Sequence, residues 1–266
     1  MPWNPEQYHK FQSERSAPFY DLLKLVEIRP HIKAIDLGCG TGELTRVLAD
    51  ALPESDVSGL DSSSQMLDAA RAASYSTLRH GERKTNRQGG ANLRFEQGDL
   101  SKLTGNWDLI FSNAAIQWCE DHEKLIPHFF SKLNPGGQLC IQLPSNHNHI
   151  SHLLIRETAK EEPFNKILNG FERIAPVLSI DQYATILFDL NAKDIIVFEK
   201  IYPHVLENSD AVVEWISGTA LVPYFEKLGD HKPEFLEVLR RKMKKALPES
   251  PLFYPFRRIL FSAVKP

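Results

Sequence analysis

Between Ile32 and Leu143 short apolar runs alternate with longer segments in which apolar residues recur every three or four positions. Ile32, Ala34, Ile35 and Leu37 form the first run, which has the character of a strand covered on both faces. Gly38, Gly40 and Gly42 follow at alternate positions, and Leu44, Val47, Leu48 and Ala51 then mark one face of a helix. The same rhythm repeats down the chain. Asp56 to Leu60 reads as a strand ending at Asp61, and Ser62 to Ala73 as a helix capped by Ser63 or Ser64, with Met66, Leu67, Ala69 and Ala70 inward. Strands follow at Asn92 to Glu96, Trp107 to Ser112 and Gln138 to Leu143. A helix from His122 to Leu133 precedes the last of these, closed by Asn134-Pro-Gly-Gly137. Five strand–helix units of this kind predict an α/β fold with a doubly wound, mostly parallel sheet, which two later strands make seven-stranded.

Outside that region the pattern changes. Residues 4 to 28 read as two short helices, the second carrying Phe19, Leu22, Leu23 and Val26 ahead of Pro30. Tyr8, Phe11, Glu14 and Arg15 there serve either as a lid on a ligand or as a pin for the N-terminus. Residues 74 to 91 lose periodicity and are polar, glycine-ended and locally basic, a solvated insertion or a docking surface for an acidic partner. After Pro144 helices are expected at 149 to 161, 181 to 190, 209 to 219 and 233 to 247, with strands at Ala192 to Tyr202 and Phe256 to Val264. Helix 233 to 247 sets Phe235, Leu239, Met243 and Leu247 on one face against Arg240, Arg241, Lys242, Lys244 and Lys245, again a solvated face or a partner site. With neither a repeat nor a low-complexity linker, 1 to 266 reads as one domain with a helical cap from segments 1–28, 144–190 and 203–250.

Composition narrows the partners. A net charge of −3 over 266 residues offers no global field for nucleic acid. No apolar run is long enough for a membrane span, and the N-terminus lacks the basic-then-apolar order of a signal peptide. Cys39, Cys119 and Cys140 are far apart and form no C-x-x-C pair, so neither a disulfide framework nor a metal site is expected, and a cytoplasmic location is.

The chemistry gathers around the glycine turn. Alternate glycines let backbone amides approach a ligand closely, and the following helix directs its positive end at it. A dinucleotide site wants G-x-G-x-x-G, whereas Gly38-Cys-Gly40-Thr-Gly42 is one residue shorter. Ala34 to Thr45 with Asp61 resembles the first motifs of class I S-adenosylmethionine (SAM) methyltransferases, over about residues 30 to 143. The resemblance implies a SAM site built from Asp36, Gly38, Cys39, Gly40, Gly42, Asp61, Ser62, Met66, Asp99, Leu100, Asn113 and Ala114. In it the loop holds the methionine part, Asp61 the ribose hydroxyls, and Asp99 the adenine amine. The alternative reading of Asp99 is a turn residue bonding its own backbone.

Trp3-Asn-Pro, Glu14-Arg-Ser with Pro18, Asn113-Ala with Gln117-Trp118, Trp215 with Gly218-Thr219, and Pro223 look like the trans-aconitate 2-methyltransferase family, nearly end to end. That family esterifies a carboxylate of a small tricarboxylic acid. Where it tends to carry arginines, this chain has Ala17 and Val222, and its Pro-Asp-Asn is Pro144-Ser145-Asn146. The resemblance implies a small carboxylic acid substrate, with Arg15, Gln117, Trp118, His147, Tyr224 and Arg258 on the acceptor side. Three other readings stand beside it: a methyltransferase for malonyl on an acyl carrier protein, a nicotinamide-dependent oxidoreductase, and a SAM-binding module without catalysis.

Overall fold

A computed structural model describes residues 12–79 and 91–266. In chain order these form α1 (Gln12–Leu23), β1 (Lys33–Leu37), α2 (Glu43–Ala51), β2 (Asp56–Asp61), α3 (Ser64–Arg79), β3 (Asn92–Gln97), β4 (Trp107–Asn113), α4 (His122–Ser131) and β5 (Leu133–Pro144). They continue with α5 (Ile150–Lys160), α6 (Phe164–Ile167), α7 (Ile180–Asp189), β6 (Lys193–Leu206), α8 (Ser209–Ser217), α9 (Val222–Leu228), α10 (Lys232–Ala246) and β7 (Leu252–Val264). One seven-stranded sheet has the order β3-β2-β1-β4-β5-β7-β6. The first five strands run parallel, and β7 pairs antiparallel with β5.

The apolar runs of the sequence become the two faces of this sheet. Ile35, Leu37, Ile110, Ile141, Ile259 and Phe261 meet Leu125, Ile126 and Phe129 of α4 and Tyr183 and Leu187 of α7 on one side. Ala34, Val57, Leu109, Phe111, Cys140 and Leu260 meet Phe19 and Leu22 of α1 and Leu48 of α2 on the other. Alternation along each strand assigns its residues to one layer or the other. Burying a side chain of this size contributes about 1.5–3 kcal/mol, so these two layers are the main stabilising feature of the sheet.

Two compact units result. One comprises Arg15–Pro144, Pro176–Lys200 and Arg258–Pro266, and the other is centred on Ser145–Ala175 and Ile201–Arg257. The second has its own core, in which Trp215, Tyr224, Phe235, Leu239, Met243 and Tyr254 are buried together. Residues 176–190, expected in the cap, belong instead with the sheet. The reason is Tyr183, which stacks on Phe261 at 4.9 Å between ring centroids and joins His122 Nδ1 through its hydroxyl at 2.5 Å.

Several boundaries differ from the sequence reading. The helix after β2 runs on to Arg79, six residues past Ala73, so the insertion shortens from its N-terminal side, and residues 80–90 lie outside the described part. No helix separates β3 from β4: the connection is a short 3-10 turn, Leu100–Lys102, so the unit count of five strand–helix repeats fails here. β5 starts at Leu133 rather than Gln138, because the Asn134-Pro-Gly-Gly137 turn bulges out between the pairs Trp107↔Leu133 and Leu109↔Gln138. Gly136 takes φ +74 in that bulge, and a Cβ on Gly137 would stand 2.8 Å from the Asn134 carbonyl oxygen. α6 and α9 were not anticipated. Both are short, and periodicity over four to seven residues is too weak to mark a helix.

Candidate functional site

The sheet order reverses between β1 and β4, and ligands of doubly wound sheets bind at the carboxyl ends of the strands flanking such a reversal. The glycine loop leaves β1 at that point, and Asn113 and Ala114 leave β4 beside it. The two outer strands complete the rim, with Asp61 at the end of β2 and Asp99 just past β3. Residues scattered over some eighty positions of sequence thus gather along one edge of one unit.

The loop is stitched to β2. Gly38 N–H and Cys39 N–H both donate to the Leu60 carbonyl, at 2.7 and 3.1 Å, and Gly40 N–H donates to Asp61 Oδ2 at 2.9 Å. Asp61 Oδ1 accepts from Ser63 N–H at 2.9 Å. The Ser63 hydroxyl in turn accepts from Met66 N–H at 3.3 Å, which settles Ser63 as the residue opening α3. Within that helix Leu67 and Ala70 are buried, while Met66 is half-buried at the rim and Ala69 is exposed. Ser62 accepts at its carbonyl from Gln97 Nε2, 3.0 Å away. Asp61 therefore acts first as the clamp that joins loop, strand and helix. Each of its oxygens keeps a further lone pair for a ligand hydroxyl.

The three loop glycines are required for different reasons. A Cβ on Gly38 would lie 2.2 Å from Ala115 Cβ, and one on Gly42 would lie 2.5 Å from the Phe95 ring. Those two are packing requirements. At Gly40 a Cβ would meet no atom of the described residues within 4 Å, yet φ is +54. The space above Gly40 is left open, and this is the observation that fits a cofactor lying over the loop.

Asp36 sits beneath the loop, 4% exposed, and accepts from Thr45 Oγ1 at 2.6 Å. Burial pushes its carboxyl up from 3.8 to about 6, the Thr45 hydrogen bond working against the rise and nearby Asp61 adding to it. The folded state then holds a proton that the unfolded chain releases between about pH 4 and 6, so stability falls as pH rises through that window. Two units amount to at most about 3 kcal/mol. Asp36→Asn should keep the Thr45 contact and remove this loss. Urea midpoints at pH 4.5 and 7.5 test it: the variant should gain on the wild type as pH rises, and a constant difference would remove Asp36 as the source. Cys39, close to both carboxylates, has its thiol pushed well up by burial and by Asp36 and Asp61, so it is no nucleophile at neutral pH.

Asp99 opens the 3-10 turn, its Oδ1 accepting from Ser101 N–H at 2.9 Å and Ser101 Oγ at 2.6 Å. These bonds hold its carboxyl below the usual range. The turn reading of Asp99 is therefore met, and its half-exposed Oδ2, 3.5 Å from Lys102 Nζ, stays accessible to a ligand amine. Leu100 packs against the sheet core behind it. Across the reversal Ala114 has φ +54, uncommon for a residue with a Cβ, and is held there by its N–H on the Gln142 carbonyl at 2.9 Å. Gln117 Nε2 donates to the Ala114 carbonyl at 2.6 Å. Two hydrogen bonds thus hold this uncommon backbone conformation at the strand end.

A family model described as a methyltransferase domain matches residues 28–208. The trans-aconitate 2-methyltransferase of Deinococcus radiodurans is 44% identical over 273 aligned positions, covering 100% of this chain and 99% of the relative. This chain belongs to the methyltransferase family. Solved structures agree on the fold. The YcgJ protein of Bacillus subtilis aligns with TM-score 0.60 at 14% identity, over 94% of this chain and 98% of its own. A phosphoethanolamine N-methyltransferase of Haemonchus contortus, in complex with S-adenosyl-L-methionine, aligns with TM-score 0.54 at 17% identity, over 94% of this chain and 52% of its own. The chain is a SAM-dependent enzyme, and the nicotinamide alternative gives way.

The acceptor-side candidates of this methyltransferase divide. Gln117, Trp118 and Arg258 lie in the sheet unit with the loop, and Trp118 is exposed at 38% on the 3-10 turn that follows Ala115. Arg15 falls on α1, but its side chain, like Tyr8 and Phe11, lies outside the described residues. His147 and Tyr224 belong to the second unit. Tyr224 is a correction: its ring packs on Phe171 and Phe235, and its hydroxyl accepts from Arg173 N–H at 3.1 Å, so it is a core residue of that unit. His147 lies near His152. Burial, with His149, His147, Arg156 and Arg173 nearby, pushes His152 down to about 3. Sequence reasoning passed over Gln142, fully buried at the end of β5, because an isolated glutamine in an apolar run carries no signal of its own.

Proposed function

We propose that this enzyme transfers the SAM methyl group to a carboxylate oxygen of a small polycarboxylic acid, trans-aconitate first among them. The end-to-end similarity to the Deinococcus enzyme named for that acceptor carries the reading. The site's chemistry supports it. A carboxylate is already ionised at neutral pH, so its oxygen attacks without a general base. His122 is spoken for: its ring nitrogens engage the Tyr183 hydroxyl and the Ile116 carbonyl at 2.5 and 2.8 Å, and burial holds its pKa low.

When bound, SAM supplies an electrophilic methyl carried on a sulfonium. The chain's part is positioning. The open backbone at Gly40 and the turn at Ala114 would hold the methionine end, Asp61 would accept from the ribose hydroxyls and the outer oxygen of Asp99 from the adenine amine, with Ser62, Met66 and Leu100 completing the site. Holding donor and acceptor in line contributes on the order of 7–11 kcal/mol. Opposite charges neutralise in the transition state, so a site shut off from water assists. Three unpaired thiols favour a reducing cytoplasm, and no helix of the described residues is long and apolar enough to cross a membrane.

The acyl-carrier alternative needs an exposed basic face, and α10 supplies less of one than its sequence suggests. Lys242 Nζ is held by Glu157 and Glu161 at 2.7 and 2.6 Å, and Arg240 Nε lies 3.7 Å from Asp210. We therefore assign the small free acid as substrate. Replacing residues 80–90 with a short Gly/Ser linker should leave kcat/KM for a free acid within about threefold, since the sequence there is polar and carries no apolar periodicity. Selective loss on a malonyl carrier protein would instead favour the alternative. Methyl transfer from labelled SAM to a panel of acids, phenols and amines tests the whole reading. Incorporation into di- or tricarboxylates is expected, and incorporation only into phenols or amines would sink it.

A further inference from the structure

Asn113, Gln142 and Arg258 share one face of the sheet at its carboxyl edge. Asn113 pairs with Gln142, Gln142 with Leu260, and Pro144 with Arg258, and alternate residues of a strand point the same way. All three lie in the unit that carries the glycine loop. Gln142 is 0% exposed and Arg258 is 6% exposed, so both are shut off from bulk water. Arg258 NH1 donates to Gln142 Oε1 at 3.4 Å.

That contact fixes the amide. A guanidinium has donors only, so the oxygen of Gln142 must face it and the NH2 must face away. The NH2 is buried and has no hydrogen-bond partner among the described residues, and the same is true of Asn113 Oδ1. Buried amide groups are almost always satisfied, and an exception calls for a ligand, a water or a functional reason. On the same face the cross-strand neighbour of Gln142 is Leu260, which is fully buried, so the unpaired NH2 has an apolar residue beside it.

We infer that Gln142 and Arg258 form the subsite for a second carboxylate of the acceptor, the one that is held while another is methylated. This rests on the proposed carboxyl methylation. Gln142 Nε2 donates to one carboxylate oxygen, and the guanidinium supplies the compensating charge from behind the amide. Asn113 Oδ1, an acceptor, would repel that carboxylate and is left to a donor group on the cofactor side. The subsite explains why an ionised acceptor can enter a dry region at all: an anion there needs a cation and a donor, and this edge of the sheet holds both. It also selects acids with at least two carboxylates over monocarboxylates.

Binding of trans-aconitate to the protein saturated with S-adenosylhomocysteine, followed by calorimetry, reads the subsite without turnover. Gln142→Leu should weaken that binding at least tenfold and raise KM for trans-aconitate in step. Its affinity for S-adenosylhomocysteine should not move, while its melting temperature without ligand should fall modestly, because the buried Arg258 guanidinium loses the Gln142 oxygen as an acceptor. Gln142→Glu, which sets a negative charge beside Arg258, should weaken acceptor binding as well and covers the case in which the leucine variant fails to fold. In an Arg258→Met background Gln142→Leu should add less than its full effect, as expected for two groups on one carboxylate. Acceptor binding within twofold of wild type in either folded Gln142 variant overturns the inference alone. A wild type that neither binds nor methylates any di- or tricarboxylate overturns the carboxyl-methylation reading and the inference together.

Discussion

Gly40→Val is expected to abolish SAM binding while the sheet still forms. The backbone at Gly40 has φ +54, and a β-branched residue held there is strained by about 1–3 kcal/mol. That is a fraction of a typical domain's stability, so circular dichroism and a melting curve should report a folded protein. The larger effect falls on the ligand. No atom of the described residues lies within 4 Å of the position a Cβ would take, so the valine methyls project into the space over the loop. A loss of at least about a hundredfold, near 2.7 kcal/mol, is the scale expected. Gly38→Ala provides the contrast, since its Cβ would collide with Ala115 at 2.2 Å and the damage should appear as lost stability. Calorimetry giving wild-type SAM affinity for Gly40→Val would reduce the loop to a packing turn and remove the basis of the cofactor assignment.

Asp61→Ala is the second large effect, and the structure makes it a double one. The carboxylate accepts from Gly40 N–H and Ser63 N–H, so its removal leaves two backbone donors at the site without a partner. Hydrogen bonds to a charged group are worth about 1.5–3 kcal/mol each, part of which water recovers at this half-buried position. The loop should therefore loosen, and the melting temperature should fall. SAM affinity should drop by a further 1–3 kcal/mol or so, roughly five- to 150-fold, through the lost ribose contact. Asp61→Asn keeps one acceptor oxygen and should lie between. Unchanged affinity in a folded Asp61→Ala protein would take Asp61 out of the binding site and leave it as a clamp.

The elements and cofactor-side residues legible along the chain share a property: their evidence is local. The β1 run, the glycine turn and the α2 face occupy twenty consecutive residues, and backbone sterics and periodicity act at that range. Asp61 and Asp99 were legible as strand-end carboxylates because the ends of short apolar runs are read from immediate neighbours. What could not be read depends on partners distant in sequence. Whether residues 176–190 join the sheet turns on Tyr183 meeting His122 and Phe261, 61 positions before it and 78 after. Whether Tyr224 is a ligand group or a core ring turns on Phe171, Arg173 and Phe235 closing around it. The basic stripe of α10 loses Lys242 to two glutamates of the α5 region, at positions 157 and 161. Gln142 acquires meaning only when a β7 arginine, 116 residues further on, takes its oxygen and leaves its NH2 unpaired. Hydrogen bonding and burial are properties of neighbours in space, so the glycine turn was legible along the chain, and only the packing of the strands brought Asn113, Gln142 and Arg258 to one face.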